Sequence, residues 1–150
     1  MKWVALDSNV LLLYIIGAAT GRPLGKRLRA YSQEDIQIIF EFVDMFDAIV
    51  TTPNVLTEVS NLQTQGVFGS LELDIRRCFA GIAATTQEVY VPSADVVGHS
   101  EFGRLGLTDA AWLHILDGDT VLLTDDIALH DTALSLGFSV QNFTRLRNFE

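Results

Sequence analysis

Hydrophobic and polar positions alternate along the chain in blocks that read as strands and helices in turn. Residues 3–6 (Trp-Val-Ala-Leu) form a short apolar run that stops at Asp7, the pattern of a buried strand that delivers an acid to its carboxyl end. Ser8 then stands where it can cap an apolar helical stretch over residues 9–16. Residues 17–31 hold four glycines or prolines and predict a loop with at most one short turn of helix. Ser32 and Asp35 have the spacing of a capping box and open a helix through about Phe46. Residues 48–51 predict a second buried strand, after which Thr52 is a cap and Pro53 the first helical residue, putting Glu58 on the second turn. A helix over about 71–84 and a short strand over 88–91 follow. Thr108 caps a helix from Asp109 to about Leu116, residues 120–124 make a strand, 126–135 a helix closed by Gly137, and 138–143 a last strand. Strands that alternate with helices imply an α/β fold with a mostly parallel sheet. Neither a repeat nor a linker interrupts residues 1–150, so one domain is expected.

Composition narrows the picture. Of 150 residues, 49% are apolar and 19% charged, with 11 glycines and 3 prolines, which excludes a disordered or collagen-like polymer. Cys78 is the single cysteine; it cannot form an intrachain disulfide or a multi-cysteine zinc site, and it suits the cytoplasm. The apolar amino-terminal stretch is broken at Asp7-Ser8-Asn9, too early for a secretory signal and well short of the roughly 20 residues that span a bilayer. No membrane is expected. The net charge of −9 argues against a protein that coats nucleic acid by bulk electrostatics. Yet Arg22, Lys26, Arg27 and Arg29, four of ten basic residues, crowd into one loop, where they could clamp RNA.

The acids carry the candidate chemistry. In open α/β sheets a ligand site lies at the carboxyl ends of the strands, and Asp7, Glu58, Asp109 and the pair Asp125-Asp126 all fall in that zone. Singly, Asp109 and Asp125 read as helix-start acids favoured by the macrodipole and Glu58 as a solvated helix residue. Together they would repel one another unless a divalent cation neutralised them. An oxygen-only cluster suits Mg²⁺ or Mn²⁺, and such ions assist phosphoryl transfer.

Four segments make this more specific. Leu6-Asp7-Ser8-Asn9, the run from Pro53 to Val59, Leu107-Thr108-Asp109-Ala110-Ala111, and the run from Leu123 to Leu129 with Ala133 and Gly137 resemble, in order, the successive motifs of PIN-domain nucleases. The resemblance covers residues 6–137. It implies a three-layer α/β/α sandwich, an acidic site with Mg²⁺ or Mn²⁺, and endonucleolytic cleavage of RNA, often by the toxin of a toxin-antitoxin pair, with an antitoxin protein as partner. Asp7, Asp109 and Asp126 resemble the family's metal-binding aspartates, and Glu58 the glutamate that acts directly or through water. Asn9 and Thr124 match polar positions that buttress the site, with Asp125 as a further supporting residue. The basic loop at 17–31 departs from the smallest toxins.

Other readings are weaker. Haloacid-dehalogenase-type phosphatases also place an aspartate after the first strand, but their general acid would fall at Asn9, and only Lys2 and Lys26 are present to supply the lysine they need. A non-catalytic RNA- or protein-binding module is the other alternative. Thr20 to Arg27 imitates a phosphate-binding loop but lacks its first glycine and its closing Ser or Thr. Asp117-Gly118-Asp119 reads as a turn. His99, His114 and His130 share no ligand spacing; His114 is expected to be packed, and His130 lies nearest the candidate acids in sequence.

The helix over 32–46 carries one apolar face at Ile36, Ile39, Phe40, Val43 and Phe46 and a second at Ile38, Phe42 and Met45. The second face needs cover, either from this chain or from another subunit; PIN-like proteins are often dimers, so a homodimer is expected.

Overall fold

A computed structural model describes residues 2–63 and 69–148. Five strands, β1 (Trp3–Leu6), β2 (Ala48–Thr51), β3 (Gln87–Glu88), β4 (Thr120–Thr124) and β5 (Ser139–Asn142), form one sheet in the order β3-β2-β1-β4-β5. Every pairing is parallel. Nine helices among the described residues flank it: α1 (Ser8–Thr20), α2 (Gln33–Val43), α3 (Pro53–Gln63), α4 (Glu72–Thr85), α5 (Ser93–Val96), α6 (Phe102–Leu105), α7 (Leu107–Ile115), α8 (Ile127–Ser135) and α9 (Phe143–Arg147). The result is a three-layer α/β/α sandwich. None of the helices among the described residues is long and apolar enough to cross a membrane.

The strand order fixes where a site can form. From β1 the chain builds outward through β2 to β3, then returns to the other side of β1 for β4 and β5. The crossovers diverge between β1 and β4, which opens a crevice at the carboxyl ends of those two strands. Val4, Ala5, Leu6, Leu122 and Leu123 are fully buried, as expected of central strands covered on both faces.

Helix α1 is apolar on all sides: Val10, Leu11, Leu12, Leu13, Ile15 and Ile16 are buried, and the helix packs against α2, α3 and α4. It runs to Thr20 and closes at Gly21 in the left-handed region, φ 72°, so the expected loop begins four residues later than the sequence suggested. Gly17 is not a breaker. A Cβ there would stand 2.7 Å from Ile36 Cγ2, so glycine is what lets α2 lie close against α1. The remaining loop contains a single 3₁₀ turn, Lys26–Leu28, anchored by fully buried Leu28.

The Ser32–Asp35 capping box forms as expected. Helix α2 ends at Val43, with residues 44–46 in a turn. The second apolar row is mostly covered by the chain itself: Ile38 is buried, Phe42 is half-buried against Phe46, and only Met45 is exposed, at 67%. The observation behind an expected dimer interface is thereby reduced to one methionine. Other boundaries shift as well. Strand β3 covers Gln87–Glu88 rather than 88–91. Helix α7 starts at Leu107 with Gly106 at its cap position instead of Thr108. Helices α5, α6 and α9 were not anticipated.

Candidate active site

Asp7 follows β1 directly. The register pairs Leu6 with Leu123, so Asp7 stands beside Thr124 and its backbone N–H donates to Leu123 O at 3.1 Å. Thr124 Oγ1 donates to Asp7 Oδ2 at 2.8 Å and accepts the Asp126 N–H at 3.0 Å. Asp126 in turn caps α8, its Oδ1 accepting from Leu129 N at 2.9 Å. Asp109 lies in the first turn of α7. Asp7, Asp109 and Asp126 therefore each sit at the amino end of a helix, where the backbone dipole favours an anion by roughly 0.3–1 kcal/mol. Glu58 comes from α3, whose Val55 and Val59 are buried in the core.

These four acids line one cleft of about 300 Å³, together with Ser8, Asn9, Arg27 and the wall from Leu105 to Thr108. They sense one another. Burial pushes the Asp7 carboxyl upward, partly offset by the hydrogen bonds from Thr124 and the Ser8 backbone, and the charges of Asp126 and Glu58 push it further. Asp109 is raised to about 7, first by burial and then by Asp7, Asp126 and Glu58. Two carboxyls held back from ionisation in this way, Asp7 and Asp109, are ones that a cation would relieve.

The donor chemistry fits a hard divalent ion, being all carboxylate oxygen with uncharged amide and hydroxyl groups beside it. Among the described residues, no group of three or more His, Cys, Asp or Glu side chains already stands in a metal-holding arrangement. Asp7, Asp109, Asp126 and Glu58 are the residues that could hold a divalent ion.

The supporting residues divide. Asn9 is in the cleft, where its Oδ1 accepts from Arg27 Nε at 3.0 Å, and Thr124 stands behind the acids as a brace. Asp125 is not on the cleft wall. It accepts from the Tyr31 hydroxyl and, at 2.6 Å, from Thr144 Oγ1, tying the end of the basic loop and α9 to the sheet. Of the four basic residues, only Arg27 lines the cleft. Arg22, Lys26 and Arg29 are exposed away from it.

Asp117 makes the expected turn, accepting from Asp119 N at 2.9 Å and Thr120 Oγ1 at 3.0 Å. His130 is buried, with Nδ1 2.9 Å from Asp131 Oδ1, and does not line the cleft. His114, expected to be packed, is exposed, because the buried face of α7 is carried by Ala110, Ala111, Trp112 and Leu113. The pattern missed three features. The Ser8 hydroxyl does not cap α1 but lies buried without a partner. Gly106, at φ 88°, turns the chain so that Asp109 reaches the cleft. A shallow groove of about 410 Å³ runs on from Glu58 and Thr108 past Pro53, Asn54, Thr57 and Asn61. The first two depend on local backbone geometry, and the glycine at 106 was the one visible signal.

No family model matches the chain, and no curated protein is recognisably similar to it.

Proposed function

We propose that this chain is a metal-dependent endoribonuclease of the PIN-like type. The reading rests chiefly on one observation: Asp7, Glu58, Asp109 and Asp126, carried by four separate segments of the sequence, line a single cleft at the switch point of a parallel sheet. Bound Mg²⁺ or Mn²⁺ would supply neutralising charge and activation of water for attack on a phosphodiester. Asp7, Asp109 and Asp126 would hold the ion. Glu58, carried by α3, would orient the water or take its proton. Thr124 braces Asp7 through its carboxylate and Asp126 through its backbone N–H, which fixes the two segments in relation to each other. The groove past Glu58 carries the uncharged polar residues Asn54 and Thr57, which would offer a flanking nucleotide hydrogen-bond partners.

A phosphatase of the haloacid-dehalogenase type has no support at the residues it needs. Asn9, where its general acid would stand, is an amide oriented by Arg27, and Lys2 and Lys26 lie off the cleft wall. The test is incubation of the purified chain with single-stranded RNA in Mn²⁺. Cleavage that EDTA stops and Asp126→Asn abolishes is the expected result; equal cleavage by Asp126→Asn would remove the assignment.

A further inference from the structure

The acids occupy only part of the cleft wall. Beside them lies the amino end of α1, a helix of 13 residues whose cap residue, Asp7, makes no side-chain cap hydrogen bond. Its first intrahelical bond runs from Leu11 N to Asp7 O at 2.8 Å, so the N–H groups at Asn9 and Val10 have no acceptor within the helix. Ser8 stands at the same point. The residue is 4% exposed and its Oγ has no hydrogen-bond partner among the described residues, yet it lines the cleft. A buried hydroxyl left without a partner costs stability.

Arg27 completes the set. A guanidinium beside four carboxylates ordinarily collapses into a salt bridge, but Arg27 forms none among the described residues. An uncharged group, Asn9 Oδ1, holds Nε at 3.0 Å instead, and among the described residues the two terminal nitrogens make no ion pair. The loop that carries Arg27 is fixed on the side that follows it. Leu28 is fully buried, Ala30 O accepts from Arg147 Nη2 at 3.0 Å, and Tyr31 donates to Asp125. Arg147 is itself paired with Asp35 at 2.5 Å.

We propose that Ser8 Oγ, the Arg27 guanidinium and the amino end of α1 form a phosphate subsite in the cleft, one that takes the non-bridging oxygens of the RNA phosphate undergoing attack. This deepens the nuclease reading and rests on it. Each element suits an oxyanion: a helix end whose Asn9 N–H has no intrahelical acceptor, a hydroxyl donor and a planar fork of N–H donors. The division of labour is then spatial. Acids that attract a cation face a separate set of donors that attract the phosphate, and an amide rather than a carboxylate keeps the arginine from being captured by the acids. Without a divalent ion the acids repel phosphate, so the subsite fills only when the cation is present.

The probe is inorganic phosphate, titrated into the full chain with saturating Mg²⁺ and followed by calorimetry or ³¹P line broadening. The wild-type chain is expected to bind phosphate with Mg²⁺ and not in EDTA. Arg27→Ala and Ser8→Ala should each weaken that binding by about tenfold or more, the usual scale for a lost hydrogen bond to a charged group. Arg27→Lys should recover only part of the loss, because an ammonium lacks the fork. Arg77→Ala, the same charge change on exposed α4, should leave phosphate binding alone. Circular dichroism and Mg²⁺ affinity without phosphate check that each variant is folded with its acids intact. Absence of phosphate binding by the wild type, or equal binding by folded Arg27→Ala, overturns the subsite. The two proposals separate cleanly. Phosphate binding that depends on Arg27 in a chain that never cuts RNA would sink the nuclease reading and leave the subsite, whereas Mn²⁺-dependent cleavage by a chain indifferent to Arg27 and Ser8 would do the reverse.

Discussion

Thr124 Oγ1 donates to Asp7 Oδ2 at 2.8 Å across 117 positions of sequence, and Thr124 Oγ1 also accepts the N–H of Asp126 at 3.0 Å. One fully buried side chain therefore sets the relation between two acids of the cleft. Thr124→Val keeps the shape and deletes both bonds. The Asp7 carboxyl then loses a donor that favours its charged form, so its pKa climbs further. The unpaired groups should lower stability by about 1–3 kcal/mol. Urea unfolding and an NMR titration of Asp7 read the two effects, and a variant unchanged in both would show that the contact is incidental.

Asp126→Asn should spare the fold while spoiling the cluster. Asparagine caps a helix about as well as aspartate, so α8 keeps its start. Losing the charge removes one cause of the raised pKa at both Asp7 and Asp109, and stability without metal should hold or rise. Wild type should gain thermal stability with Mn²⁺, by about 2.7 kcal/mol when the ion is at 100 times its Kd. The variant should lose most of that gain. An equal Mn²⁺-induced rise in Tm in both proteins would place the ion elsewhere.

The pH dependence of stability has a definite sign. Asp109 titrates near 3.8 in an ordinary carboxyl environment and at about 7 in the folded chain. Between those values the folded chain holds a proton that the unfolded chain has released. Its contribution to stability is therefore full below about pH 4 and is lost as pH rises toward 7. One group changes stability by at most about 1.4 kcal/mol per pH unit, and the half-buried position of Asp109 makes the slope shallower. Measured against Asp109→Asn, the wild-type chain should lose urea resistance between pH 5 and 7. A difference that stays flat, or grows in the opposite direction, contradicts the electrostatic picture of the cleft.

Gly17→Ala tests the packing of the helix that carries the subsite. The new methyl would meet Ile36 Cγ2 at 2.7 Å, and a β-branched side chain has few rotamers in which to retreat. Overpacking of about 1–3 kcal/mol should outweigh the helix-propensity gain of about 1 kcal/mol. Thermal melts should show net destabilisation, and Ile36→Ala in the same chain should make the pair less costly than the sum. A more stable Gly17→Ala would mean that α1 and α2 have room to separate.

Much of the frame was legible because strands are local patterns. The runs that become β1, β2 and β4 begin and end where the apolar blocks do, and the Ser32–Asp35 box is a contact three residues long. Three of the acids were legible for the same reason, since Asp7 follows a strand and Asp109 and Asp126 open helices, while Glu58 lies on the second turn of its helix. What escaped depends on tertiary contact. Gly17 reads as a breaker until Ile36 is seen against it. Asp125 reads as a residue supporting the site until Tyr31 and Thr144 are found on its oxygens. The basic cluster reads as one clamp, but the 3₁₀ turn and the anchoring of Leu28 bring Arg27 alone to the cleft. Ser8 reads as a cap, because an orphaned hydroxyl leaves no trace in a hydropathy pattern.

In the proposed reaction this cleft directs water, with a divalent ion, against an RNA phosphodiester. Cleavage in Mn²⁺ and ¹⁸O-labelled water, followed by mass analysis of the new ends, is the decisive test. Linear phosphate ends carrying ¹⁸O should be formed by wild type and be absent with Asp126→Asn or EDTA. Ends that carry a 2′,3′-cyclic phosphate, or RNA left intact by a folded chain with Mn²⁺ bound, would overturn the proposal.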